Sequence, residues 1–143
     1  MPPSHVLVPL DGSPLADEAL EHALKTFDCR TTVLNVVTPL DAGMSEGGLL
    51  EAGEERRDAA RRRAESIVAD AKRRAAERDR EVETAVEAGS PAETILEYVE
   101  DHDVDHVIMG GHGGDRDELA RRLLGTVATT VVSEAPVTVT IVR

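Results

Sequence analysis

The sequence predicts an α/β domain in which one open, doubly wound sheet of five parallel strands carries helices on both faces. Three observations lead there. Short apolar runs alternate with stretches of helical periodicity five times along the chain, a pattern that implies parallel strands joined by right-handed crossovers. Turn residues such as Asp11-Gly12-Ser13-Pro14 and Ser90-Pro91 separate the runs from the helices. The length of 143 residues matches one ordinary domain, so residues 1–143 are read as a single unit.

Residues 5–10, HVLVPL, are the first strand, a short buried run that stops at Asp11-Gly12. A helix opens behind it, with Ser13 as its cap and Pro14 at its first position, and Ala16, Ala19, Leu20, Ala23, Leu24 and Phe27 form one apolar stripe. Thr32 to Val37, TVLNVV, is the second strand. A loop through Thr38-Pro39 follows, and its glycines at 43, 47 and 48 mark residues 43–48 as the candidate for disorder. From about Leu50 to Arg80, Ala60, Ala64, Ile67, Val68, Ala71 and Ala75 keep helical register, which makes a long helix with one buried face. Asp58 with Arg62, and Asp70 with Arg74, stand four apart in the favourable order, so its charges read as a solvated, self-paired face. Residues 82–86, VETAV, are the third strand. Ser90-Pro91-Ala92-Glu93 reads as a capping box that opens a helix with Ala92, Ile95, Leu96 and Val99 turned inward. Val104 to Met109 is the fourth strand, a last helix covers 126–134, and VTVTIV at 137–142 is the fifth strand.

Sixteen basic against twenty-eight acidic residues give a formal charge of -12. That balance works against broad contact with nucleic acid or anionic lipid. Nearly all the basic residues are Arg, with only Lys25 and Lys72 as lysines, and only Phe27 and Tyr98 are aromatic. An excess of carboxylates of this kind keeps a protein soluble in salt and makes it repel itself without salt, which points to a salt-adapted organism. The single Cys29 excludes an internal disulfide and a four-cysteine metal site, and fits a reducing cytoplasm. No stretch resembles a signal peptide or reaches bilayer length. The expectation is a cytoplasmic protein that neither inserts into membranes nor binds nucleic acid.

Open parallel sheets bind ligands outside the carboxyl ends of their strands, where the strand order reverses. Two loops are built for such a place. One is Asp11-Gly12-Ser13, and the other is the run from Met109 to Thr126, MGGHGGDRDELARRLLGT. Glycines let the main chain approach a ligand and aim amide hydrogens at anionic oxygens, and the helix start at Gly125-Thr126 adds its own unpaired donors. A phosphate fits there without any lysine. The run is neither GxGxxG nor a Walker A loop, because no Gly-Lys-Ser or Gly-Lys-Thr follows. Plainer readings stand beside these: a glycine turn that is only a turn, and Asp11 as a turn residue. His102 and His106 are four apart but divided by a helix end and a strand start, which speaks against a metal pair. Cys29 reads as an inert thiol and Ser13 as a cap rather than a nucleophile.

The run instead resembles the G-x2-G-x9-G-[ST] motif of the universal stress protein family, in its ATP-binding branch. The resemblance covers essentially the whole chain: the VPLDGS opening, Leu34-Asn35-Val36, the lead-in Val107-Ile108-Met109-Gly110, and Ala135-Pro136-Val137 before the last strand. Eleven residues rather than nine separate Gly113 from Gly125. With Gly114-Asp115 taken as an insertion the remainder fits the family spacing, and Arg116, Leu119, Arg121, Leu123 and Leu124 match typical choices.

The resemblance implies an adenine nucleotide alpha hydrolase-like fold with strand order 3-2-1-4-5, and ATP as ligand, alone or with Mg or Mn. Asp11 and the backbone around Pro9 and Leu10 would meet the adenine, with Val36 packed on its face. Met109 and Gly110 would lie along adenine and ribose, and His112 would touch ribose or phosphate. Gly113, Gly125, Thr126 and Val127 would donate to the phosphates, Thr126 through its hydroxyl as well. Ala128 has no hydroxyl where some relatives carry Ser or Thr. Asp115 falls near the phosphates, where a carboxylate repels them or shares a divalent ion with them.

The implied function is that of a stress-response regulatory protein whose bound nucleotide alters its contact with an unknown protein partner, with no catalytic residue and at most slow ATP hydrolysis. A nucleotide-free dimeric interaction domain of the same family is the alternative, and a small nucleotide-hydrolysing or nucleotidyl-transferring enzyme the third. Strand 137–142 contains no Lys or Pro to blunt its edge. In the family two such strands pair antiparallel, which implies a two-fold homodimer.

Overall fold

The computed structural model describes residues 2–38, 50–112 and 124–143. The disorder candidate at 43–48, and Gly113, Gly114 and Asp115 of the glycine-rich run, lie outside the described residues. In chain order the elements are β1 (His5–Pro9), α1 (Pro14–Thr26), β2 (Arg30–Val37), α2 (Leu50–Ala76), β3 (Glu83–Ala88), α3 (Pro91–Asp101), β4 (His106–Gly110), α4 (Thr126–Glu134) and β5 (Thr138–Val142). The strands form one sheet in the order β3-β2-β1-β4-β5, as expected. Every neighbouring pair is parallel.

Side chains alternate across the sheet, so each strand feeds two cores. Val6, Val8, Val33 and Ile108 pack against Ala16, Ala19, Leu20, Ala23 and Leu24 of α1 and Val68, Ala71 and Ala75 of α2. Their chain neighbours Leu7, Leu34, Val107 and Met109 face the other way, onto Ile95 and Val99 of α3 and Ala128 and Val131 of α4. The helices therefore cover both faces. Alanine at so many contact positions lets α1 and α2 lie close to the sheet, which suits a chain almost without aromatic residues.

Several boundaries differ from the sequence expectation. The helix expected to reach Arg80 ends at Ala76, because Asp79 takes the left-handed conformation (φ 55°) and the Arg80 amide returns to the Ala75 carbonyl at 2.9 Å. The Arg80 guanidinium then donates to the carbonyls of Leu24, Phe27 and Cys29, which fixes the end of α1. Ser13 caps α1 as expected, accepting from the Ala16 amide at 3.2 Å. Ser90 stands at the cap position of α3, but the expected capping box does not form, since its side chain bonds no helix amide. Ser90 is exposed, a setting in which the leading amides of a helix do not depend on a side-chain acceptor. On α2, Asp70 pairs with both Arg73 and Arg74. The expected Asp58–Arg62 pair is absent among the described residues; both side chains are exposed, where ion pairing gains little over hydration.

Candidate functional site

The carboxyl ends of β1, β2 and β4 open into a cleft of about 640 Å³. It lies where the strand order reverses about β1, between the β1–α1 turn and the start of α4.

The first wall is held by main-chain geometry. The Leu10 amide donates to the Leu34 carbonyl at 2.8 Å, and the buried Asn35 side chain donates from Nδ2 to the Leu10 carbonyl, also at 2.8 Å. These bonds carry the β1–β2 ladder one residue past Pro9. The chain then turns sharply: Asp11 Oδ1 accepts from the Ser13 amide at 2.9 Å, and Gly12 takes φ 85°. A side chain at Gly12 would be strained by that angle and would press on Ile67 Cδ1 at 3.3 Å.

The opposite wall comes from β4 and α4. A β-carbon on Gly110 would lie 3.1 Å from the Leu15 carbonyl carbon and the Ala16 amide, so only glycine lets α1 start so close to β4. The Gly111 amide donates to the Val142 carbonyl at 2.8 Å, and the Gly125 amide to the Gly111 carbonyl at 2.6 Å. The two ends of the glycine-rich run are thus drawn together across one peptide. Gly125 is the cap residue of α4 and offers that helix no side-chain acceptor, so its leading amides are left to the cleft. Both ring nitrogens of His112, on the same wall, are buried and without a hydrogen-bond partner among the described residues.

Pro9, Leu10, Asp11, Val36, Met109, Gly110, His112, Gly125, Thr126 and Val127 all line this one cleft. Gly113 lies outside the described residues. Ala128 lines the cleft too, as a buried residue. The cleft also includes Asn35, Arg63 and Ile95, to which the sequence reading assigned no site role. Arg63 reaches from α2 to donate through Nη2 to the Asp11 carbonyl at 3.1 Å. Its only sequence signal was its place on a helix full of arginines.

Other sequence candidates fall elsewhere. His102 stacks on Tyr98 with ring centroids 3.8 Å apart, whereas His106 meets the Thr140 hydroxyl at 2.7 Å beside Phe27. Among the described residues no group of three or more His, Cys, Asp or Glu side chains is arranged to hold a metal ion. Burial pushes the Cys29 thiol above its ordinary pKa, which favours an unreactive thiol. No described helix is long and apolar enough to cross a membrane.

The fold is that of an adenine nucleotide alpha hydrolase-like α/β domain, with a cleft at the switch point of its sheet. The model of the universal stress protein family matches residues 3–143, and the chain belongs to that family. It is 30% identical over 150 residues to the universal stress protein MJ0531 of Methanocaldococcus jannaschii, a match covering 96% of this chain and 81% of the relative. Among solved structures, the universal stress protein UspA of Lactobacillus plantarum superposes with a TM-score of 0.85 at 24% identity, over 100% of this chain and 99% of that one. A family member from Arabidopsis thaliana, solved with AMP bound, superposes with a TM-score of 0.71 at 19% identity, over 98% and 91% of the two chains. Both structural likenesses are likenesses of fold.

Proposed function

We propose that this chain is a stress-response regulatory domain that holds an adenine nucleotide in the cleft, with ATP, alone or with Mg or Mn, as its ligand. The observation that carries the reading is His112, whose two ring nitrogens are buried on the cleft wall without a partner among the described residues. Leaving such a group unpaired costs about 1–3 kcal/mol, and a ligand with ribose hydroxyls or phosphate oxygens supplies what it lacks. The walls fit the same ligand. Val36, Ile95 and Met109 offer apolar surface to a purine, and Asp11 presents a carboxylate acceptor beside them. The leading amides of α4, with the Thr126 hydroxyl, meet phosphate oxygens. The AMP held by the Arabidopsis thaliana relative supports a ligand of this class.

In this reading the residues bind and orient, and no side chain is assigned a catalytic part. The protein works in the cytoplasm as a homodimer through strand 137–142, and occupancy of the cleft changes its contact with a protein partner. The test is to purify the protein in high salt, denature it, identify released nucleotide by mass spectrometry, and titrate ATP with and without magnesium into the stripped protein. Stoichiometric adenine nucleotide is expected. No retained nucleotide and no binding at millimolar ATP would overturn the reading in favour of a nucleotide-free dimeric interaction domain.

A further inference from the structure

Arg63 stands at a junction that the proposed nucleotide contacts leave unused. Its guanidinium borders both the main cleft and a neighbouring groove of about 240 Å³ that runs beneath α2 past Asn35, Val36 and Ala60. One of its N–H groups holds the Asp11 carbonyl. Further along α2, Arg73 and Arg74 are matched by carboxylates of Asp70, Glu77, Asp17 and Glu21. Arg63 has no such match among the described residues, although the whole chain carries a net charge of -12. A guanidinium has five donors in a planar fork, and one of them is engaged here.

We propose that Arg63 is the specificity-determining cation of the cleft, holding the Asp11 carbonyl with one donor and a phosphate of the ligand with others. This rests on the nucleotide reading and adds to it the preference for phosphorylated ligands over adenosine. Among the described residues, two features of positive potential border the cleft, Arg63 from α2 and the amino end of α4 from the far wall. Arg63 also offsets the negative charge of Asp11, which would otherwise repel an anion from the same wall. The planar fork matches phosphate oxygens two at a time, an arrangement that a lysine ammonium does not reproduce.

The test compares Arg63→Met and Arg63→Lys with the wild-type chain by calorimetric titration of adenosine, AMP and ATP at one ionic strength. Unfolding midpoints without ligand serve as the check on folding. In Arg63→Met, affinity for AMP and ATP falls about tenfold or more, the worth of one charge-assisted contact, while adenosine binding stays within about twofold. Arg63→Lys recovers part of the loss, and the salt dependence of ATP binding becomes shallower in Arg63→Met. An equal loss for all three ligands would overturn the proposal, because Arg63 would then act only by shaping the Asp11 turn. Unchanged affinities would overturn it as well. A wild-type chain that binds none of the three overturns the nucleotide reading itself, an outcome distinct from either.

Discussion

Gly110 and Leu15 meet backbone to backbone: a β-carbon at Gly110 would lie 3.1 Å from the carbonyl carbon of Leu15 and 3.2 Å from its oxygen. This contact sets how near the start of α1 comes to the end of β4, and both segments border the cleft.

Gly110→Ala is therefore expected to destabilise the domain by about 1–3 kcal/mol, the usual cost of inserting a methyl group where only backbone can yield. Urea unfolding measures it. A stability equal to wild type would mean that α1 shifts freely, and that the close approach is incidental.

Asn35 tests the other wall. Its Nδ2 is the donor to the Leu10 carbonyl inside a buried strand. Asn35→Ala leaves that carbonyl without its donor, at a cost of about 1–3 kcal/mol, and frees the residue that precedes the Asp11 turn. The expected result is a lower unfolding midpoint together with weaker ligand binding. Lost stability with unaltered binding would show that the turn is held by Asp11 and Ser13 alone.

Stability should fall on the acid side of neutrality. Burial pushes His5 and His106 below the ordinary histidine value of 6.5, with Asp105 near both rings, Arg30 and Glu83 near His5, and His22 near His106. A depressed folded pKa means the unfolded chain takes up the proton first as pH drops. The contribution is complete above 6.5 and is lost as pH falls from there toward the folded values, at up to ~1.4 kcal/mol per pH unit for each group. Glu83, Asp70 and Asp105 are shifted down as well, and their contributions disappear only in the carboxylate range. Thermal midpoints of wild type and His106→Asn between pH 5 and 8 check this. The variant should show the flatter profile, and parallel profiles would count against a half-buried, neutral His106.

The proposed dimer can be tested without damaging the sheet. The Val142 carbonyl accepts from Gly111 across the β4–β5 pair, and the N–H and C=O of one strand residue point to the same side. Thr140 and Val142 thus face β4, while the main-chain groups of Val139 and Ile141 face outward. Val139→Pro removes an outward donor only. If strand 137–142 is the interface, light scattering gives a dimer for wild type and a monomer for Val139→Pro. A variant that stays dimeric would put the interface elsewhere.

Most of the fold was legible because its signals are local. Pro14 and Gly125 mark helix starts by their own backbone preferences, and HVLVPL reads as a buried strand from its composition. The strand order came with the family resemblance, and the lining of the cleft by Met109, Gly110 and Thr126 followed from the same motif. What escaped was set by tertiary geometry. Asn35 sits in an apolar run where nothing distinguishes a bonded amide from a solvated one, and its partner Leu10 is 25 positions away. Arg63 looks like every other arginine on α2 until the Asp11 carbonyl is placed beside it. Ser90 failed in the other direction, since a capping sequence exposed to water need not use its side chain.

The pairing of β1 with β4 joins Val6 to His106 and Leu7 to Val107, and the Ser4 amide finds its acceptor on Asp105, 101 positions later. On the ribosome, a nascent chain that has extruded β1, β2 and β3 can zip those strands together while one edge of β1 stays bare. The walls from β4 and α4 arrive only afterwards. Until Gly125 and Thr126 emerge there is no pocket to fill, so any ligand of the cleft meets only the finished domain and cannot template its early folding.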